Sequence, residues 1–317
     1  MSDQESNSSF RLGPDGPQIG TLGIGTRAWG ARRIWGYGES YADADLRAAF
    51  EIALDAGVTF YDTAEVYGRG YAEKLLGDFC RETGAEVIVS TKYAPFPWRF
   101  GRRTVATALR HSLQRLGMEQ VGLYQIHWPW PLASIETLME GLAGAVKAGL
   151  VKTVGVSNYD VGQMKQAHEA LARRGVRLAS NQVEYSLLQR QPESSGLLDL
   201  CHELDVTLIA YSPLGMGMLT GKYTPDNPPP GPRGRRYDGE FLTGLQPLIE
   251  KLREIGAAHG GKTPAQVAVN WVIAKGAIPI PGVKNARQAE DNVGAIGWSL
   301  AKAEVAALDA AACRVSC

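Results

Sequence analysis

Short runs of apolar and β-branched residues alternate along the chain with longer stretches in which apolar positions recur every three or four residues. In order, the short runs are IGTLGIGT (19–26), TFYD (59–62), VIVSTKY (87–93), VGLYQIH (121–127), TVGVS (153–157), LASNQVE (178–184), TLIAYS (207–212) and AIPIPG (277–282). They are nearly continuous in apolar character rather than alternating, which predicts parallel strands buried on both faces. Between them, residues 43–56 place Leu46, Ala49, Phe50, Ala53 and Leu54 along one helical face and stop at Gly57. Residues 103–116 repeat the pattern with Val105, Leu109, Leu113 and Leu116 before Gly117. Similar blocks predict helices near 135–148, 160–174, 194–204 and 264–275, the last opened by Thr263 as N-cap and Pro264 in the first turn.

Eight strands, each followed by a helix or a helix-bearing loop, predict an α/β fold of one kind: a single (β/α)₈ TIM barrel spanning 1–317. Residues 1–10 form a short polar N-terminal extension, expected to be flexible. The rhythm breaks once, over 213–246, a long loop after the seventh strand that contains PDNPPPGPRGRR. Long loops are usually functional, and the 223–240 part is a candidate lid. No GxGxxG fingerprint follows an early strand, so a dinucleotide would have to be held in some other way.

Composition narrows the classes. The chain carries 33 basic and 33 acidic residues, a formal net charge of zero, which gives nucleic acid no basic face to bind and says nothing about the charge of a substrate. Its one local basic cluster, GPRGRR (231–236), reads as a Pro/Gly-rich loop. Cys80, Cys201, Cys313 and Cys317 are scattered without a CxxC pair, as in a reducing compartment, although Cys313 and Cys317 stand close enough in sequence to form a redox pair. No signal core or apolar run of spanning length is visible, so a cytoplasmic protein without membrane contact is expected. Monomer and homo-oligomer both remain open.

Barrel active sites lie at the C-terminal ends of the strands. There, Asp62 ends the second predicted strand, Lys92 lies near the end of the third and His127 closes the fourth, while Tyr67 follows Asp62 by five residues. Taken singly, each has a plain structural role: a turn cap, a solvated charge, a core imidazole, a packed ring. Three adjacent strand ends and the loop between them make a shared role the better account. The four groups suit proton donation. A phenol has a pKa near ~10; a neighbouring ammonium lowers it, Asp62 can hold that ammonium, and His127 can orient a carbonyl oxygen. No side chain supplies hydride, so a nicotinamide would have to.

DAGVTFYDTAEVYG (55–68), VIVSTKY, LYQIHWP (123–129), VKTVGVSNY (151–159), SNQVEYSLL (180–188), AYSPLGMGMLTGKY (210–223) and IPIPGVKNARQAEDN (278–292) resemble, in this order, the aldo-keto reductase superfamily. The resemblance covers the chain from about residue 10 to about residue 310. It implies a (β/α)₈ barrel that reduces an aldehyde or ketone with NADPH and no metal, and a catalytic tetrad of Asp62, Tyr67, Lys92 and His127. It implies that Ser157, Asn158 and Gln182 hold the nicotinamide carboxamide, that Tyr211 stacks on the ring, and that Gly25 and Thr26 belong to the cofactor set. Asn158 reads equally well as a helix N-cap. Ser212, Pro213, Leu214, Gly217 and Leu219 would cover the pyrophosphate with Lys222 nearby, the glycines admitting close backbone approach. Gly282, Val283, Lys284, Gln288 and Asn292 would hold the adenosine end. Lys284 is the candidate for the 2′-phosphate, with Arg287 as a second cation, which favours NADPH over NADH. RAWGARRIWGYG (27–38) and YAPFPWR (93–99) look like the plant and cyanobacterial branch that includes pyridoxal reductases. There Trp29, Trp35, Trp98 and Trp128, with Phe96 and Trp130, would line an aromatic rim for a flat or apolar substrate. Two other classes stay open on the sequence: a nucleotide-binding regulator with little turnover, and a lyase whose Lys92 forms a Schiff base, against which the cofactor motifs count.

Overall fold

A computed structural model of the chain describes residues 10–99, 101–129 and 133–315. Most of the polar N-terminal extension, Trp130 and Cys317 therefore lie outside the described residues. Eight parallel strands follow one another around a ring: β1 (Gly23–Gly25), β2 (Phe60–Asp62), β3 (Ile88–Tyr93), β4 (Val121–Ile126), β5 (Val151–Ser157), β6 (Leu178–Glu184), β7 (Thr207–Tyr211) and β8 (Ile278–Pro279). Each pairs with its sequence neighbour. A parallel bridge between Gly25 and Gly282 and a bond from the Gly25 N–H to the Pro281 carbonyl (3.0 Å) join the first strand to the last. That seam is tight: a Cβ on Gly25 would lie 2.8 Å from the Ile280 carbonyl oxygen, so only glycine fits. The predicted (β/α)₈ barrel is the observed fold.

The helices end where their sequences provide a stop or a cap. Arg103–Leu116 ends at Gly117 in the left-handed conformation, and Pro264–Ala274 starts from a Thr263 capping box. Several elements differ from expectation. Ile19, read as the start of the first strand, belongs instead to a small antiparallel hairpin, Phe10–Arg11 with Gln18–Ile19. With Leu12 it buries Ile19 against Phe60, Leu123, Ile209 and Ile278, closing the N-terminal end of the barrel; each of these two side chains contributes about 1.5–3 kcal/mol. Helix Tyr71–Thr83 was not expected, because it begins directly after the Gly68-Arg69-Gly70 turn. The long loop is shorter than 213–246, since a 20-residue helix, Gly239–Ala258, starts inside it despite Pro247. Cys80 and Cys201 are buried, and Cys313 is an exposed free thiol. Among the described residues, no helix is long and apolar enough to cross a membrane.

Candidate active site

The parallel register brings the strand ends level: Gly25 pairs with Asp62, Asp62 with Ser90, and Lys92 with Gln125. Inside the barrel, Asp62 and Lys92 are almost fully buried and form an ion pair at 2.5 Å. Lys92 Nζ also donates to the Thr63 carbonyl (2.8 Å). The second oxygen of Asp62 accepts from Ser90 Oγ (3.0 Å) and Gln182 Nε2 (2.8 Å). Beneath them Gln125 Nε2 donates to Ser90 Oγ, and Ser180 Oγ to Gln125 Oε1. This buried polar layer (Ser90, Gln125 and Ser180) was missed in the sequence because its residues lie inside otherwise apolar strands. Buried charges persist where they are paired and hydrogen-bonded: both Asp62 oxygens accept, and Lys92 Nζ donates to Asp62 and Thr63.

Tyr67 opens a short 3-10 turn, Tyr67–Gly70, and its ring lies 5.1 Å from Lys92 Nζ and edge-on to His127, with centroids 5.7 Å apart. Burial raises the phenol above its ordinary value of 10, Lys92 draws it down, Asp62 raises it and Arg27 lowers it, for a net rise. The expectation that the ammonium sets the direction is corrected: burial outweighs it, and the phenol keeps its proton. His127 is pushed down to about 2, by burial first and then by Lys92 and Arg27. It is a neutral imidazole, and its buried Nδ1 has no partner among the described residues. The tyrosine loop is clamped from outside. Glu65 receives Arg99 through both carboxylate oxygens and also the Ala94 N–H (2.7 Å), tying the loop after β2 to the loop after β3.

Beside this group, Ser157 Oγ donates to the Gln182 carbonyl. Asn158 adopts a left-handed φ of 61°; its amide donates to the His127 carbonyl (3.0 Å) and accepts from Tyr211 Oη (3.0 Å). The N-cap of the following helix is Asp160, so the capping account of Asn158 does not hold. Thr26 donates through both N–H and Oγ1 to the Asp62 carbonyl. Ser212 (φ 53°), Pro213 and Leu214 lead into the turn Gly215–Thr220, where Met216 and Gly217 take positive φ and Leu219 is buried.

At the far end, Val283 is buried and Gln288 Oε1 accepts from the Lys284 N–H. Lys284 loses basicity through burial first, then through Arg233 and Lys222. Arg233 lies in a short helix, Pro232–Arg236, where a plain Pro/Gly-rich loop was expected, and donates to the Met216 carbonyl (3.2 Å). Arg287 is exposed. The buried Asn292 amide nitrogen has no partner among the described residues. A lysine crowded by two further cations, a positive-φ turn and an orphaned amide are the donor set a phosphorylated nucleotide needs, so the residues present fit such a group.

The tryptophans divide. Trp128 lies against His127 (4.4 Å between centroids), and Trp98, 70% exposed, stacks on Phe96. Trp29 has no exposed surface and donates to the Val283 carbonyl (3.2 Å), while Trp35 lies under Lys284, 4.9 Å from its Nζ. Trp29 therefore offers a substrate no rim, while Trp35 is only partly buried.

The sequence matches the Aldo/keto reductase family over residues 21–312. It is 45% identical to the chloroplastic pyridoxal reductase of Arabidopsis thaliana, over 95% of this chain and 85% of that one. It is 33% identical to a Schizosaccharomyces pombe aldo-keto reductase named for NADP(+), over 85% and 82%. Among solved structures, a glycerol dehydrogenase from Gluconobacter oxydans superposes with TM-score 0.84 at 26% identity, over 97% of this chain and 95% of that one. An aldo-keto reductase from Klebsiella pneumoniae in complex with NADPH superposes with TM-score 0.76 at 26% identity, over 96% and 95%. The chain belongs to the aldo/keto reductase family, as an NADP-dependent oxidoreductase acting on small carbonyl compounds.

Proposed function

We propose that the protein reduces an aldehyde or ketone to the alcohol at the mouth formed by β2–β4, with Tyr67 as the general acid. Aromatic aldehydes, pyridoxal among them, are the favoured substrates, a reading supported by the 45% identity to the Arabidopsis enzyme. The observation that carries it is the buried Asp62–Lys92 pair beneath the Tyr67 ring, with neutral His127 edge-on to it. Bound NADPH would supply the hydride. His127 donates its one N–H to the carbonyl oxygen and orients it. Tyr67, protonated at neutral pH, gives its proton to that oxygen as negative charge develops there. Lys92 stabilises the phenolate left behind, and Asp62 fixes Lys92 in place. Ser157, Asn158 and Gln182 would hold the carboxamide and Tyr211 would lie beside the ring. Lys222, Arg233 and Lys284 would receive the phosphates, which favours NADPH over NADH.

A lyase using Lys92 as its nucleophile is disfavoured, because that amine is fully buried and committed to Asp62 and Thr63. The test is Tyr67→Phe, assayed by NADPH consumption with pyridoxal, 4-nitrobenzaldehyde and methylglyoxal. Turnover should fall by about 10²–10⁴-fold while fluorescence titration shows NADPH binding retained. Wild-type turnover in the variant would end the assignment of Tyr67.

A further inference from the structure

From Leu22 to Trp29 every residue is buried except one, Arg27. Its backbone is fixed on both sides. Thr26 is bonded twice to the Asp62 carbonyl, the Trp29 N–H donates to the Thr26 carbonyl (2.8 Å), and the Trp29 indole is anchored on Val283. A long cationic side chain is thus projected from a rigid turn at the C-terminal end of β1, where the barrel opens. A solvated surface arginine would have no stake in the site. Burial dominates the shifts of Tyr67, His127 and Tyr211, raising the two phenols and lowering the imidazole, and the charge of Arg27 reaches all three with a smaller downward pull.

The charges of the mouth leave Arg27 over. Lys92 cancels Asp62, and Tyr67 and His127 are neutral. Lys222, Arg233 and Lys284 cluster at the other end, with Lys284 feeling both of the others. Glu184 acts on Tyr211 from β6. Among the described residues none of the ion pairs includes Arg27: Asp62 is taken by Lys92 and Glu65 by Arg99, and Glu184, which shares with Arg27 its influence on Tyr211, forms no ion pair with it.

We propose that Arg27 is a specificity-determining residue whose guanidinium receives an anionic group, carboxylate or phosphate, carried by the carbonyl substrate. This rests on the reading of Tyr67 and His127 as the groups that meet the carbonyl. An arginine fork binds a carboxylate or phosphate through two parallel hydrogen bonds, and beside a partly dehydrated mouth such contacts contribute on the order of ten- to a hundred-fold in binding.

The experiment compares 4-carboxybenzaldehyde with 4-nitrobenzaldehyde, whose para groups match in shape and differ in charge, in the wild type, Arg27→Gln and Arg27→Lys. In Arg27→Gln the carboxy-to-nitro ratio of kcat/KM should fall about ten- to a hundred-fold, mostly through KM, with partial recovery in Arg27→Lys. Pyridoxal 5′-phosphate against pyridoxal gives the phosphate arm: a fall confined to that pair assigns the site to phosphate, and one confined to the benzaldehydes assigns it to carboxylate. Benzoate titrated by calorimetry into NADP⁺-loaded protein reads the same contact without turnover, and should bind Arg27→Gln more weakly by a similar factor. Unchanged ratios in both pairs, with unchanged benzoate binding, would overturn the proposal. So would tenfold weaker NADPH binding in Arg27→Gln, which would assign the cation to the cofactor. Failure of the catalytic reading registers elsewhere, as retained turnover in Tyr67→Phe, and the benzoate titration still decides Arg27.

Discussion

On the β2–β4 side of the mouth each buried charge is matched within the protein, whereas on the β7–β8 side three cations face one another. Asp62 takes Lys92, Ser90 and Gln182, and Lys92 takes Asp62 and Thr63. Lys284, by contrast, rests on Trp35 and Tyr41 and is made less basic by burial, Arg233 and Lys222. The first region is built as a finished electrostatic environment, in which donors and charges need not reorganise as the reaction proceeds. In the second, an arriving anion would relieve the repulsion and desolvation of Lys284, so that part of the folding free energy would be tied to ligand binding.

The difference is broken most severely by Lys92→Met. That variant leaves the Asp62 carboxylate buried without its counter-ion, and should lose about 3–5 kcal/mol of stability in urea unfolding together with turnover. Near-wild-type stability would mean the pair is not the keystone described. Lys284→Ala should behave in the opposite way. NADPH binding weakens about tenfold, the loss of one charge-assisted contact, NADH binding changes less, and cofactor-free stability stays level or rises. Its pH dependence sharpens the contrast. The folded-state pKa of Lys284 lies below the ordinary 10.5, so between the two values the unfolded chain binds the extra proton and stability rises with pH. The cofactor-free stability advantage of Lys284→Met over wild type should therefore be complete below the depressed value and vanish above 10.5. Smaller again, Glu65→Gln should lower kcat several-fold with little change in NADPH affinity, because it loosens the clamp on the Tyr67 loop. At the small end, Trp98→Ala should move unfolding stability by less than about 0.5 kcal/mol, and a larger loss would show that its stacking on Phe96 supports the fold.

How far the sequence anticipates this arrangement depends on what kind of signal each residue carries. Asp62, Lys92 and His127 stand out because each is a polar residue at the end of an apolar run, and the parallel register turns three chain positions into one cluster. The helix Tyr71–Thr83 is hidden by the glycines that start it, and Gly239–Ala258 by Pro247 and the proline-rich run before it. Tryptophan is ambiguous by nature: the same large ring fills a core at Trp29 and meets solvent at Trp98. Arg27 is a single cation in a turn and Arg233 one of three arginines in a short helix, and only the folded arrangement tells which groups they face. The direction of the Tyr67 shift is likewise a tertiary property, decided by how much water the ring loses.

The seam between β1 and β8 has a consequence for how the chain is made. The Trp29 indole and the Val283 carbonyl that help lock it are 254 positions apart. At a synthesis rate of about 5–20 residues per second, roughly 13–50 s pass between the emergence of the two halves. During that interval β1 has its β2 partner but an open second edge, the kind of edge on which nascent chains aggregate. It is only three residues long, two of them glycine, so it offers a passing strand very little to pair with until its own partner arrives.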